Sequence, residues 1–358
     1  MERKNRYVYL DALRIIACLC VIYIHINERG QFMFAYRELA SIPYFLEMFL
    51  SILSKMAVPV FFAISGALLL GKEISLKTLF IRRIFRMGAV LVLFSAISCA
   101  VAVYKGDAQW SVKAFILGMY ESTWNFTYWY LYAYLAFLLI SPILGSLVRQ
   151  ISRRDYLYLL TLAFVFRCLL PAFEQLRWEG LHQLNPDFSL ACITCDIVFY
   201  PCLGYFLHHS LEERHCRRAA WTLCAAALAG AALSCYMTYR ETTKVWVMSI
   251  QKYHDLFAPV YCAAVFAAAK CICAAMDTDR PAARWITAAA RYTFGVYLLH
   301  LPVLQLLESQ WTWLWNGLLA VGLPQVIASA AYCMAVFGVC AIPVWLLKRI
   351  PLVKTLLA

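Results

Sequence analysis

Ten stretches of this chain are apolar for long enough to cross a bilayer, at roughly 7–26, 44–70, 84–104, 129–148, 156–173, 191–208, 219–239, 256–275, 289–307 and 324–347. The second exceeds what a bilayer needs, and Lys55 and Pro59 interrupt it, which predicts a tilted or kinked helix. Ala114–Tyr120 predicts an interfacial segment before the fourth span. No internal repeat, low-complexity tract or appended soluble domain is visible. The expectation is one all-α transmembrane domain over residues 1–358 with about ten membrane helices.

Composition agrees. The chain is 63% hydrophobic and 15% charged, with mean hydropathy +0.68, whereas a soluble domain is about half apolar and one-quarter charged. The net charge of +12 has no continuous basic face behind it, so a nucleic-acid partner is not expected. What matters is where the cations lie. With the N-terminus inside, the cytoplasmic pieces hold 19 of the 32 Lys and Arg residues and the outer loops eight. Five more (Arg14, Lys55, Arg167, Lys270, Arg291) sit in or at the edges of spans. This bias predicts that both termini are cytoplasmic. Trp311, Trp313 and Trp315, in the last outer loop, fit an interfacial aromatic belt. Most of the 15 cysteines lie in apolar runs and give no disulfide framework. The first span is too long and too charged for a signal peptide.

That first span carries Asp11, Arg14 and His25. Ionisable groups at membrane depth are costly and mark functional sites. Arg14 and His25 are eleven residues apart. At about 100° and 1.5 Å per residue they share a helix face, about 16 Å apart along its axis. A cation near one surface and an imidazole deep in the span suit a long anionic ligand with a reactive tip. Taken singly, each residue keeps two readings. Arg14 either binds phosphate or carboxylate, or pairs with Asp11 one turn away. His25 either moves a proton or only bridges helices.

The same duality holds elsewhere. Arg82, Arg83 and Arg86 offer guanidinium forks for phosphate, or merely flank the third span. Ser65 and Gly66, in Val58–Gly66, allow a close approach of helix or ligand. Thr293, Tyr297 and His300 form one polar stripe, for a ligand or for another helix. Cys192 and Cys195 have no companion pair at ligand spacing, so no metal site is expected. His208, His209 and His215 lie in a basic loop and are expected to be solvated. Asn125-Phe126-Thr127 matches a glycosylation sequon. Walker, dinucleotide and serine-elbow motifs are missing.

Together these residues resemble the type-3 family of membrane acyltransferases. Leu10-Asp11, then Arg14 and His25 in Arg-x10-His spacing, resemble its opening, as does the Arg-x-x-Arg of Arg83 and Arg86. Val58-Pro-Val-Phe-Phe-Ala-Ile-Ser-Gly-Ala-Leu-Leu69, Tyr128-Trp-Tyr-Leu-Tyr132 through Ile140-Ser-Pro-Ile-Leu144, and Thr293-Phe-Gly-Val-Tyr-Leu-Leu-His300 follow in the family's order. Three positions depart from its pattern: Ile15 for a glycine, Tyr128 for a histidine and Thr293 for a serine. An appended esterase-like or racemase domain is not expected.

The resemblance is nearest to short bacterial O-acetyltransferases of surface polysaccharide, and its implications are specific. His25 would be catalytic. Arg14, Arg82, Arg83 and Arg86 would hold acyl-CoA. Asp11, Ser65, Gly66, Trp129, Thr293, Tyr297 and His300 would line or support the cavity. Acyl-CoA, as acetyl-CoA, would be a co-substrate, with no tightly bound cofactor. The acceptor would be a glycan or lipid-linked saccharide, and the location a bacterial inner membrane. Oligomeric state is open, a homo-oligomer included. Acyl or succinyl transfer to another envelope acceptor is a second reading. A proton-coupled anion transporter is a third, disfavoured because no inverted repeat is visible. A purely structural membrane subunit is a fourth.

Overall fold

In lipid every backbone N–H and C=O must be paired within the protein, so apolar runs of this kind become helices. The computed structural model describes residues 7–178, 181–244, 253–274, 276 and 280–357, and all regular structure among them is helical. Among the described residues, seven helices are long and apolar enough to cross a membrane. They are α1 (Val8–His25), the broken unit Ile42–Leu69, α4 (Leu76–Lys105), α6 (Trp129–Gln150), α7 (Arg153–Arg177), α9 (Glu213–Lys244) and α14 (Gln325–Leu347). The unit Ile42–Leu69 consists of α2 (Ile42–Ser54) and α3 (Ala57–Leu69). Between these come α5 (Val112–Glu121), α8 (Asp196–Ser210), α10 (Ala258–Ala274), α11 (Pro281–Ala290), α12 (Thr293–Leu306) and α13 (Glu308–Ala320). A short α15 (Pro351–Leu356) follows.

Each of the ten apolar segments contains helix, but three are shorter than expected: α8 with 15 residues, α10 with 17 and α12 with 14. Local breaks account for two of them. Cys195 is extended, with ψ 146, and splits a single turn (Ala191–Thr194) from α8. Arg291 and Tyr292 separate α11 from α12. The segment 44–70 is broken rather than kinked. It parts at Lys55 and Met56, because Pro59 has no N–H to offer the Lys55 carbonyl. The loop expected around Trp311 is helix α13. Trp311 is buried there, its indole donating to the Val303 carbonyl at 3.2 Å, and Trp313 is exposed.

Helix α1 is the centre of the bundle, touching α2, α3, α10, α11, α12 and α14. It ends after His25 because Asn27 takes a left-handed conformation (φ 49), which asparagine tolerates. The chain then folds back, and the Gln31 N–H donates to the Tyr23 carbonyl at 3.2 Å. A Cβ on Gly30 would collide with that carbonyl. Prolines inside helices orphan the carbonyl four residues earlier, and side chains take over. Pro302 frees the Leu298 carbonyl, which accepts from the Tyr128 hydroxyl at 2.7 Å. Pro142 frees that of Leu138, which accepts from Ser141 at 2.8 Å. Helices α3 and α8 meet backbone to backbone. Gly66 lies against the Pro201 carbonyl and Gly204 against that of Ala63, with no room for a Cβ at either.

Candidate active site

The last turn of α1 brings His25 against His300 from the middle of α12. His300 Nε2 lies 3.1 Å from His25 Nδ1. His300 Nδ1 lies 2.6 Å from the Tyr297 carbonyl, an acceptor only, so Nδ1 must carry the proton. In a neutral His300, Nε2 is then an acceptor and His25 Nδ1 donates to it. The lone pair of His25 is thereby fixed on Nε2. His300 is fully buried, while His25 is partly exposed and has the Phe126 ring edge-on at 5.2 Å. The accessible member of the pair is thus an oriented base.

Phe126 is held from both sides. Asn125 Oδ1 accepts from the Thr127 backbone N–H at 3.0 Å and from its hydroxyl at 2.8 Å. The Tyr297 hydroxyl donates to the Thr127 carbonyl. This overturns the sequon reading: Asn125 is buried and its side chain closes a turn. Tyr128, at the position where the resemblance expects histidine, supports α12 through Leu298 and accepts from Ser98 at 3.1 Å.

Towards the other end of α1, Arg14 Nη1 donates to Asp11 Oδ1 at 2.6 Å. The ion pair expected of these residues forms, with Asp11 buried and Arg14 32% exposed. That exposure leaves guanidinium donors beyond Nη1 for a ligand. The Tyr130 hydroxyl lies within reach of Ser65 and within electrostatic range of Arg14. Its ring sits 5.6 Å from that of Tyr297, and Phe61 lies against both. Ser65, Tyr130, Phe61, Tyr297, His300 and His25 therefore adjoin one another as one wall, with Arg14 within electrostatic range of its Tyr130 end. Tyr130 and Phe61 were not singled out from sequence, although both lie in the segments that carry the resemblance.

Other predicted residues sit elsewhere. Gly66 is in the α3–α8 seam. The Thr293 hydroxyl donates to the Ala290 carbonyl at 2.8 Å and the residue packs by Cys18, so it shapes the start of α12. Trp129 is 46% exposed, outside the wall. Arg82 is exposed, and Arg83 and Arg86 are half-buried on α4, on a different element from Arg14. They lie on and just after a π turn (Phe80–Ile84) that touches α6. Such turns recur at functional sites. His208 is not solvated as expected: it bonds to the Tyr9 hydroxyl and is half-buried, because Lys270 caps the end of α8 through the Leu207, His208 and Leu211 carbonyls. His215, by contrast, is exposed.

The family model for the acyltransferase domain Acyl_transf_3 matches residues 7–347. No curated protein and no solved structure matches the chain. The matched span runs from the residue before α1 to the last residue of α14 and takes in both halves of the histidine pair and the whole wall leading to it; the chain belongs to the type-3 acyltransferase family, as a membrane acyltransferase.

Proposed function

We propose that this acyltransferase moves an acyl group, acetyl, from cytosolic acyl-CoA to a hydroxyl of a cell-surface polysaccharide or of its lipid-linked precursor. The observation that carries the reading is the His25–His300 pair, which leaves the lone pair of the partly exposed His25 on Nε2. The phosphates of CoA dock on Arg14 and on Arg83 and Arg86, with Arg82 at the rim. The thioester end lies along Ser65, Tyr130 and Tyr297. His25 Nε2 accepts the proton of the acceptor hydroxyl as its oxygen attacks the thioester carbonyl. The tetrahedral intermediate collapses, the C–S bond breaks, and the imidazolium returns the proton to the thiolate. The products are an ester and CoA thiol. Charge is handled by fixed groups and positioning.

The acetyl group and the glycan acceptor come from the likeness to short O-acetyltransferases, and the inner membrane of a bacterium is the setting that goes with it. The cation bias supports an orientation with both termini, and the Arg14 end of α1, facing the cytosol. Labelled acetyl-CoA, incubated with the full chain in nanodiscs and envelope glycan, tests the reading. Free CoA and an acetylated glycan are expected, with the glycan identified by mass spectrometry. Uptake of an anion into proteoliposomes without release of CoA would support the transporter instead.

A further inference from the structure

The bundle holds a second polar cluster close to His25, which the steps above leave unused. On α2, Glu47, Ser51 and Ser54 follow helical spacing and are at most 4% exposed. The charge of Glu47 is already matched. Arg37 Nε donates to its two oxygens at 2.8 and 2.9 Å, and Nη2 donates as well. Lys55, at the break between α2 and α3, is different. Its Nζ donates to Gln31 Oε1 at 3.2 Å. Among the described residues it forms no ion pair within 4.0 Å, and Asp255 acts on it from farther away. Beside it lies His254, 1% exposed, with Nδ1 3.5 Å from Ser51 Oγ and Nε2 without any hydrogen-bond partner. Gln31 in turn donates its backbone N–H to the Tyr23 carbonyl at 3.2 Å, which ties Lys55 to the last turn of α1, where His25 sits, and the ammonium is within electrostatic reach of both His254 and His25.

A half-buried cation with no ion pair among the described residues, next to a buried imidazole nitrogen without a partner, is incomplete as a structural element. Buried polar groups are ordinarily paired, and an exception of this kind, beside a cation, is a place where a polar group from outside the chain can be held. What is missing is a direct anionic partner for the ammonium and one further polar contact for the imidazole. If the Ser51 hydroxyl donates to Nδ1, Nε2–H becomes the second donor. A carboxylate supplies what is missing: one negative charge and two oxygens. A phosphate would bring surplus charge and a third oxygen, and is better matched by arginine forks.

We infer that Lys55 and His254 form a carboxylate-binding subsite beside the His25–His300 pair, which makes the acceptor an acidic glycan such as a uronic-acid polymer. The assignment to the acceptor rests on the proposed transfer to a glycan hydroxyl; the subsite itself does not.

Binding measured without acyl-CoA keeps the two apart. Full-length protein in nanodiscs is titrated with methyl β-D-glucuronide and, separately, with methyl β-D-glucoside. The glucuronide is expected to bind at least about tenfold more tightly, since only it can form the charge-assisted contact. Lys55→Gln keeps a partner for Gln31 and is expected to lose that preference, whereas Lys55→Arg retains it. His254→Phe is expected to weaken glucuronide binding with little effect on the glucoside. Equal affinities in the wild type, or no binding of the glucuronide, would overturn the inference. So would a Lys55→Gln variant that keeps its glucuronide affinity but turns over more slowly with neutral and acidic acceptors alike, because Lys55 would then act on the reacting carbonyl. Glucuronide binding with the expected pattern, but no labelled acyl transfer, would sink the proposed function and leave the subsite standing.

Discussion

His300 donates through Nδ1 to a backbone carbonyl and accepts from His25, so its role is to aim the other ring. His300→Leu removes the acceptor and frees His25 to rotate and change tautomer. We predict that kcat falls roughly 10- to 100-fold, up to the low end of a full general-base contribution because His25 itself remains, while KM for acyl-CoA is unchanged. His300→Asn, which can still accept, is expected to recover part of the loss; a purely structural role would lower both parameters, with no rescue. Arg14→Gln is expected to raise KM for acyl-CoA about tenfold or more, the cost of a charge-assisted hydrogen bond, with kcat nearly intact. At this scale the sequence was informative where chemistry follows from period. The common face of Arg14 and His25 needs only the helical repeat, and that of Tyr297 and His300 likewise, whereas the third member of their stripe, Thr293, turns to the Ala290 carbonyl. It was silent where partners come from different helices. His300 meets His25 across 275 positions of chain and His254 meets Ser51 across 203, contacts that no local spacing encodes.

Helix α3 shows how one element serves two purposes. One side carries Phe61 and Ser65 to the wall, and the other carries Gly66 into the seam with α8. Small residues in that stretch announced a close approach, but not whether helix or ligand would make it; the Pro201 carbonyl answers for Gly66. Because backbone atoms cannot yield as a flexible side chain can, Gly204→Leu should force α3 and α8 apart. The expected loss is about 1–3 kcal/mol or more, read as a lower unfolding temperature of the purified protein. Gly338→Ala, where a Cβ meets nothing, is the matched control and should leave that temperature in place. Element ends were harder to read than element existence. Hydrophobicity runs straight through Cys195 and through Arg291, whereas the backbone turns there, which shortens α8 and α12.

For the molecule as a whole, the fold class was legible because the bilayer demands it. An apolar chain of this composition has few alternatives to a helical bundle. The arrangement around α1 was not legible, since helix packing in lipid depends on small-residue seams and interhelical hydrogen bonds rather than on amphipathic faces. The cation bias supports the proposed orientation, with both ends in the cytosol. A fluorescent protein fused after residue 358 is therefore expected to fluoresce, and alkaline phosphatase at the same place to be inactive; the reverse pattern would contradict that orientation. The central claim is that His25 is the base of an acyl transfer on CoA docked along the Arg14 wall. The most direct measurement is turnover and CoA affinity of His25→Ala, side by side, in the full chain. The account predicts that release of CoA from acyl-CoA falls by about 100-fold or more, while the dissociation constant for CoA changes less than about threefold. Release at the wild-type rate, or loss of CoA binding as the sole defect, would contradict it.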